Sequence, residues 1–232
     1  MNHHHIPTAV VVVPAYKAHL SDEEALALDN CIRVLGGGHH IEIVCPGGMD
    51  LTEYRGLDAY EISLDWFRDR KSYSNLCKNK LFYEHYLDGG YDYMLLHQLD
   101  AWVFSDRLDN FCALGYDYIG APHCGWMPKG LLVGNGGFSL RKIRRFAWLC
   151  GCADFATLRW EEDRAFTEGR ISKYLDIAPV DVAFRFAIQD HYTEGMEYTG
   201  GALPFGTHQA AVFWPREALR MHAPELAELI YK

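Results

Sequence analysis

Asp100 lies between two apolar runs, Tyr93 to Leu96 before it and Ala101 to Phe104 after it. A carboxylate in that setting needs a partner, because burying it alone is costly. Two readings follow. One is a turn or cap aspartate bonded to backbone amides. The other is a ligand for a hard divalent cation that neutralises a diphosphate. The loop Gly134-Asn135-Gly136-Gly137 is a second candidate. It matches neither GxxxxGK[ST] nor GxGxxG, but successive glycines let the backbone approach a ligand closely. Asn135 could offer its amide to a ligand there, and a tight turn between short strands accounts for the composition equally well. Glu161, Glu162 and Asp163 form an acidic triplet that, by itself, suits the first turn of a helix and its dipole. His208 follows a Pro-Phe-Gly turn, where a lone histidine commonly serves as a hydrogen-bonding residue.

These groups need elements to position them, and the chain alternates strand and helix patterns. Ala9 to Val13 is a β-branched run of the kind buried on both faces of a parallel sheet. Ser21-Asp22-Glu23-Glu24 is a capping box opening a helix. Its Ala25, Leu28, Ile32 and Leu35 share one stripe, and Gly36 to Gly38 end it. Further strands are expected at Ile41 to Cys45, Tyr60 to Leu64 and Tyr91 to Leu96, with a helix from about Ser74 to Leu87. Leu76, Tyr83 and Leu87 would share a stripe of that helix, with Lys80 inside it and Asn79 at its border. Such a lysine either snorkels to solvent or points into a cleft. A helix near Lys142 to Cys150 and a closing helix after Pro224 complete the pattern. The order predicts an α/β/α sandwich with a mostly parallel sheet, in which ligands bind beyond the carboxyl ends of the strands.

Composition narrows the function classes. The chain has 232 residues and a net charge of −9. One large domain is expected at that length. A nucleic-acid partner is not, because an acidic chain lacks the phosphate attraction that dominates such binding. Seven cysteines without a CxxC pair predict buried thiols in a reducing compartment rather than a disulfide framework. The longest apolar run, Ala9 to Val13, is too short to span a bilayer and lacks a cleavage pattern, so a cytoplasmic location is expected. Arg141, Lys142, Arg144 and Arg145 form a basic cluster, read as a solvated helix face, with attraction to anionic lipid as the alternative.

The segment YDYMLLHQLDAWVF resembles the strand and DxD-type motif of GT-A-fold, nucleotide-sugar-dependent glycosyltransferases. Four landmarks follow that family's order: Gln98-Leu99-Asp100, the loop Gly134 to Leu140, the xED-like triplet ending at Asp163, and His208 in LPFGTH. The closest likeness is to an uncharacterised glycosyltransferase-like family found with bacterial surface-polysaccharide genes, and it runs from VVVVPAYK to LPFGTH. Gln98 is a departure, leaving one carboxylate where DxD has two.

The resemblance implies a single GT-A-like domain over residues 1–232, with a nucleotide-binding half at 1–104 and an acceptor and donor-sugar half at 105–232. It implies Mn²⁺ or Mg²⁺ held by Asp100 and His208, the imidazole suiting Mn²⁺. Pro14 and Tyr16 would meet the base, and Asn79, Lys80 and Gln98 the donor nucleotide. Asn135, Gly136 and Gly137 would support donor sugar and acceptor. Asp163 would be the general base, with Glu162 in reserve. The partners would be a UDP- or GDP-linked sugar and a glycan or lipid-linked acceptor, with peripheral membrane contact and no transmembrane segment. Two other functions stay open. A nucleotidyltransferase usually has a Gly-rich, basic loop after its first strand, unlike Pro14-Ala15-Tyr16-Lys17. A non-catalytic sugar-binding module is favoured by Gln98.

Overall fold

Strand β1 (Ala9–Pro14) is buried along its whole length. Its alternate side chains feed two different cores. Val11 and Val13 pack with Leu28 and Leu35 on one face of the sheet. Val10 and Val12 pack with Phe82, Tyr83 and Phe146 on the other. A strand covered on both faces reads as an unbroken apolar run, which is why β1 carries four consecutive valines. The computed structural model describes residues 7–124, 131–152, 161–168 and 171–231.

Helix α1 (Asp22–Leu35) starts at the expected capping box. The Glu24 amide donates to Ser21 Oγ, and the Ser21 amide donates to Glu24 Oε2 at 2.8 Å. Strands β2 (His40–Pro46), β3 (Asp58–Ile62) and β4 (Tyr93–His97) follow, then β5 (Ala101–Val103), β6 (Tyr118–Gly120), the antiparallel pair β7 (Pro122–Cys124) and β8 (Leu131–Val133), β9 (Phe138–Lys142) and β10 (Gly206–His208). The main sheet has the order β3-β2-β1-β4-β9-β6. Its first four strands are parallel, and β9 runs antiparallel to both β4 and β6. With α1 and α4 (Leu108–Ala113) on one face and α3 (Lys80–Asp88) and α5 (Ile143–Cys150) on the other, the architecture is the expected α/β/α sandwich with a mostly parallel sheet.

Three local readings are corrected. The helix expected from Ser74 to Leu87 is two helices, α2 (Arg70–Leu76) and α3. Asn79 breaks it by capping α3, its Oδ1 accepting from the Leu81 amide at 2.9 Å. The Cys77 carbonyl accepts from the Tyr83 hydroxyl at 2.7 Å. The third strand ends at Ile62, and a 3-10 turn at Leu64–Phe67 occupies the rest of its expected span. The basic cluster is not one solvated helix face. Arg141 belongs to β9 and is fully buried, while Lys142 and Arg145 both face Asp117.

Cys31, Cys45, Cys77, Cys112 and Cys150 are buried free thiols, and burial pushes Cys31 up to about 12. Among the described residues no helix is long and apolar enough to cross a membrane.

Candidate active site

Strand β4 ends in the middle of the sheet, and the chain turns there through Gln98, Leu99 and Asp100 into β5. Asn30 on α1 ties β5 down. Its amide donates to the Val103 carbonyl at 3.1 Å and its Oδ1 accepts from the Val103 amide at 2.8 Å. That anchored edge then pairs with β10 from the far end of the chain, in a register that sets His208 opposite Ala101. This pairing places His208 Nε2 3.0 Å from Asp100 Oδ1 and 3.2 Å from Gln98 Oε1.

His208 is 5% exposed and held from behind by Gln189, whose Oε1 lies 3.1 Å from Nδ1. With Nδ1–H donated to Gln189, Nε2 turns toward two oxygens. Nε2 stands within hydrogen-bond distance of both oxygens, and a proton on Nε2 or a cation between the groups satisfies them. Partial burial disfavours the Asp100 carboxylate, but the hydrogen bond and charge of His208 prevail, and Asp100 sits below the usual carboxylate range. Among the described residues no group of three or more His, Cys, Asp and Glu side chains converges as a metal centre. Asp100, His208 and the Gln98 side-chain oxygen bring one carboxylate, one imidazole and one amide oxygen together, donor types compatible with a divalent cation.

The glycine loop lies against this cluster. The Gln98 amide donates to the Gly137 carbonyl at 2.9 Å, and the Gly137 amide donates to Asn135 Oδ1 at 3.0 Å. A Cβ on Gly137 would stand 2.2 Å from His208 Nε2, and one on Gly136 would stand 2.5 Å from Glu162 Oε1. The peptide between these glycines thus separates the Asp100–His208 pair from the acids, and only glycine permits that approach. Glu162 and Asp163 open the helix Glu162–Thr167, and the Glu162 amide donates to Ser74 Oγ at 2.8 Å. Glu162 is buried and Asp163 half-buried. Burial and the neighbouring Asp163 push the Glu162 carboxyl up, against the pull of Arg141.

A cleft of about 410 Å³ opens beside Asp100. Pro14, Tyr16, Glu24, Phe67 to Arg70, Tyr73 and Gln98 to Asp100 line it. Tyr16 is 61% exposed. The Tyr73 hydroxyl is buried and has no hydrogen-bond partner among the described residues. Asn79 and Lys80 are not among the lining residues. Asn79 caps α3, and Lys80 pairs with Glu84 at 2.8 Å. The fold therefore brings together Pro14, Tyr16, Gln98, Asp100 and His208, and reaches Glu162 and Asp163 through Gly136 and Gly137. Asn135 shapes the loop.

Residues 67–73 and Gln189 escaped the sequence reading, and Arg141 entered it only as part of the basic cluster. The alternation of charge in Arg68-Asp69-Arg70 was a usable signal for the cleft wall. Gln189, a single amide after an apolar pair, offered none.

His97, at the end of β4, is fully buried with neither ring nitrogen paired, and burial lowers its pKa from 6.5 to about 4. The unfolded chain therefore takes up a proton that the folded chain refuses between those values. Stability is complete above pH 6.5 and falls as pH drops toward 4, by on the order of 3 kcal/mol at 1.36 kcal/mol per unit. Melting temperatures across that range should show the fall. His97→Leu should flatten it; a wild-type slope in that variant would exclude His97 as the cause.

Comparison with solved structures shows the same fold in glycosyltransferases. The galactosyltransferase LgtC, in complex with donor and acceptor sugar analogues, aligns with a TM-score of 0.52 and 10% identity over 95% of this chain and 94% of its own. A glycosyltransferase involved in glycosylation of the major capsid of PBCV-1 aligns with a TM-score of 0.51 and 8% identity over 97% and 99%. An active-site mutant of LgtC aligns at 0.53 and 13% over 93% and 95%. At these identities the likeness establishes the fold, which is GT-A. No curated protein matches the chain. The family described as "Protein of unknown function (DUF5672)" matches residues 56–208, more than half of the sequence, and the chain belongs to that family.

Proposed function

We propose that the chain transfers a sugar from a UDP- or GDP-linked donor to a hydroxyl acceptor on a glycan or lipid-linked glycan, in the cytoplasm. The observation that carries this reading is the convergence of Asp100, His208 and Gln98 beside a cleft, with two acids across the Gly136–Gly137 peptide. The base would stack on Tyr16 beside Pro14. Arg68 and Arg70 line the cleft, each in a salt bridge, with Asp65 and with Glu161 at 2.7 Å respectively, and a diphosphate bound there would draw on the same guanidinium groups. Asp100, His208 and Gln98 would hold Mn²⁺ or Mg²⁺. When bound, such a cation neutralises charge on the departing diphosphate. The sugar would lie over Gly136 and Gly137. Asp163, the more accessible acid, would take the acceptor's proton, with Glu162 in reserve.

Incubation with a panel of UDP- and GDP-sugars, with and without Mn²⁺, tests the reading, since donor hydrolysis requires no known acceptor. Slow, metal-stimulated release of nucleoside diphosphate from one donor is expected. Nucleotide binding without any release would favour the non-catalytic module that Gln98 suggests. Release of nucleoside monophosphate would point to chemistry at the α-phosphate.

A further inference from the structure

Among the described residues, Arg141 is a fully buried charge that the proposed mechanism does not use. Arg141, on β9, is 0% exposed. Its Nε donates to Ser139 Oγ at 3.0 Å, Nη1 to the Tyr83 hydroxyl at 2.9 Å and Nη2 to the Gly136 carbonyl at 3.2 Å. Glu162 Oε1 lies 3.8 Å from Nη2. The rings of Tyr118, Phe146 and Phe166 surround the guanidinium with centroids at 5.9, 5.9 and 5.5 Å. A packing role alone is poorly served by this choice. A buried cation facing its carboxylate at 3.8 Å, without a bidentate contact, is costly to desolvate, and apolar residues of similar volume often replace such charges without loss of stability. What only a planar guanidinium can do here is reach Ser139, Tyr83 and Gly136 in one plane while presenting charge to Glu162.

We propose that Arg141 is a positioning residue. It pins the Gly136 carbonyl and faces the Glu162 carboxylate, and so sets the spacing between the Gly136–Gly137 peptide and the Glu162–Asp163 pair. Ser139 Oγ donates to the same Gly136 carbonyl at 3.0 Å, so the carbonyl is held from two sides. Gly136 sits against Arg141, Glu162 and Asp163 together, since a Cβ there would lie 3.4 Å from Arg141 Nη2 and 3.4 Å from Asp163 Cβ. A sugar seated on this peptide is thereby held at a fixed distance from the acids. The inference rests on the glycosyltransferase reading above.

Removal of Arg141 has an electrostatic signature as well as a geometric one. The groups facing Glu162 are Asp163 on its own helix, Arg141 from β9, Tyr73 from α2, Cys77 and Lys78 from the break before α3, and Tyr118 from β6. Of these, Arg141 and Lys78 are the cations. Loss of Arg141 removes the pull that opposes the rise of the Glu162 carboxyl, so Glu162 holds its proton more tightly and the acidic limb of the rate profile moves to higher pH.

The test measures kcat, nucleotide affinity by calorimetry, melting temperature and the pH profile, using the donor sugar that the wild type hydrolyses. Arg141→Met should lower kcat by about 10²-fold, the cost of misplacing reacting groups by about an ångström. Nucleotide affinity should stay within about threefold, and the acidic limb should move up. Arg141→Lys should return the limb toward its wild-type position, because the charge remains. Its kcat should stay down by at least about tenfold, because an amine cannot span the three partners. Folded Arg141→Met with wild-type kcat overturns the proposal, as does equal loss of kcat and nucleotide affinity with an unmoved limb. If neither variant folds, Tyr83→Phe decides, since it removes one partner of the guanidinium at nearly constant volume. A fall in kcat of about three- to tenfold at constant KM supports the role, and unchanged kcat overturns it. Absence of any wild-type turnover overturns the underlying reading and this proposal with it, whereas wild-type turnover that survives in Arg141→Met overturns this proposal alone.

Discussion

Asp163→Asn should lower the rate of transfer to the acceptor by about 10²- to 10⁴-fold, the usual contribution of a general base. Nucleotide affinity should stay nearly constant, because Asp163 lies across the Gly136–Gly137 peptide from Asp100 and His208 and outside the cleft lining. The substitution keeps the shape of the side chain, and the amide oxygen can still accept from the Arg164 amide, as Asp163 Oδ1 does at 2.6 Å. A collapse in rate therefore reports lost chemistry rather than lost packing. A residue that only complements the helix dipole behaves differently. It costs about 0.3–1 kcal/mol of stability and leaves turnover intact. Melting temperature, nucleotide affinity and transfer rate on one preparation separate the two. Transfer near the wild-type rate would remove Asp163 from the chemistry and leave Glu162, or a reaction without a protein base.

Asp100→Ala is expected to abolish the metal-stimulated part of nucleotide binding while the fold persists. The side chain is 46% exposed and lies in the turn between β4 and β5 rather than in the core, so its removal opens no large cavity. The expected loss equals the Mn²⁺-dependent part of the binding free energy, about 1.4 kcal/mol for each tenfold in Kd. Calorimetry with UDP and GDP, with and without Mn²⁺, reads this directly. In the wild type, Mn²⁺ should tighten binding, and chelation should undo the gain. In Asp100→Ala the two conditions should give the same affinity. Chelator and substitution should not add, because both remove the same interaction. Equal wild-type affinity with and without Mn²⁺ would remove the metal role from Asp100, His208 and Gln98 together.

Much of the scaffold was legible in the residues, because the signals are local. Four valines in β1 announce a strand buried on both faces. Ser21 and Glu24 announce the start of α1, since a capping box closes within one turn. Asp100 could be placed at a strand end because apolar runs flank it. Local pattern failed where competing local bonds decide. The apolar stripe from Leu76 to Leu87 is continuous in sequence, yet Asn79 caps a new helix inside it and turns Lys80 toward Glu84.

The candidate site itself needed tertiary structure. Nothing near His208 in sequence shows that it meets Asp100; the β5–β10 register does that, and Asn30 fixes the edge on which it forms. Arg141 reads as one of four cations in a surface cluster until the antiparallel insertion of β9 between β4 and β6 turns it into the core. Periodicity and caps are set by neighbours a few residues apart, so the sequence by itself determined the strands, most of the helices and the residue types available for chemistry. Which of those residues meet is set by strand pairing across more than a hundred residues, and only the packed sheet decides it.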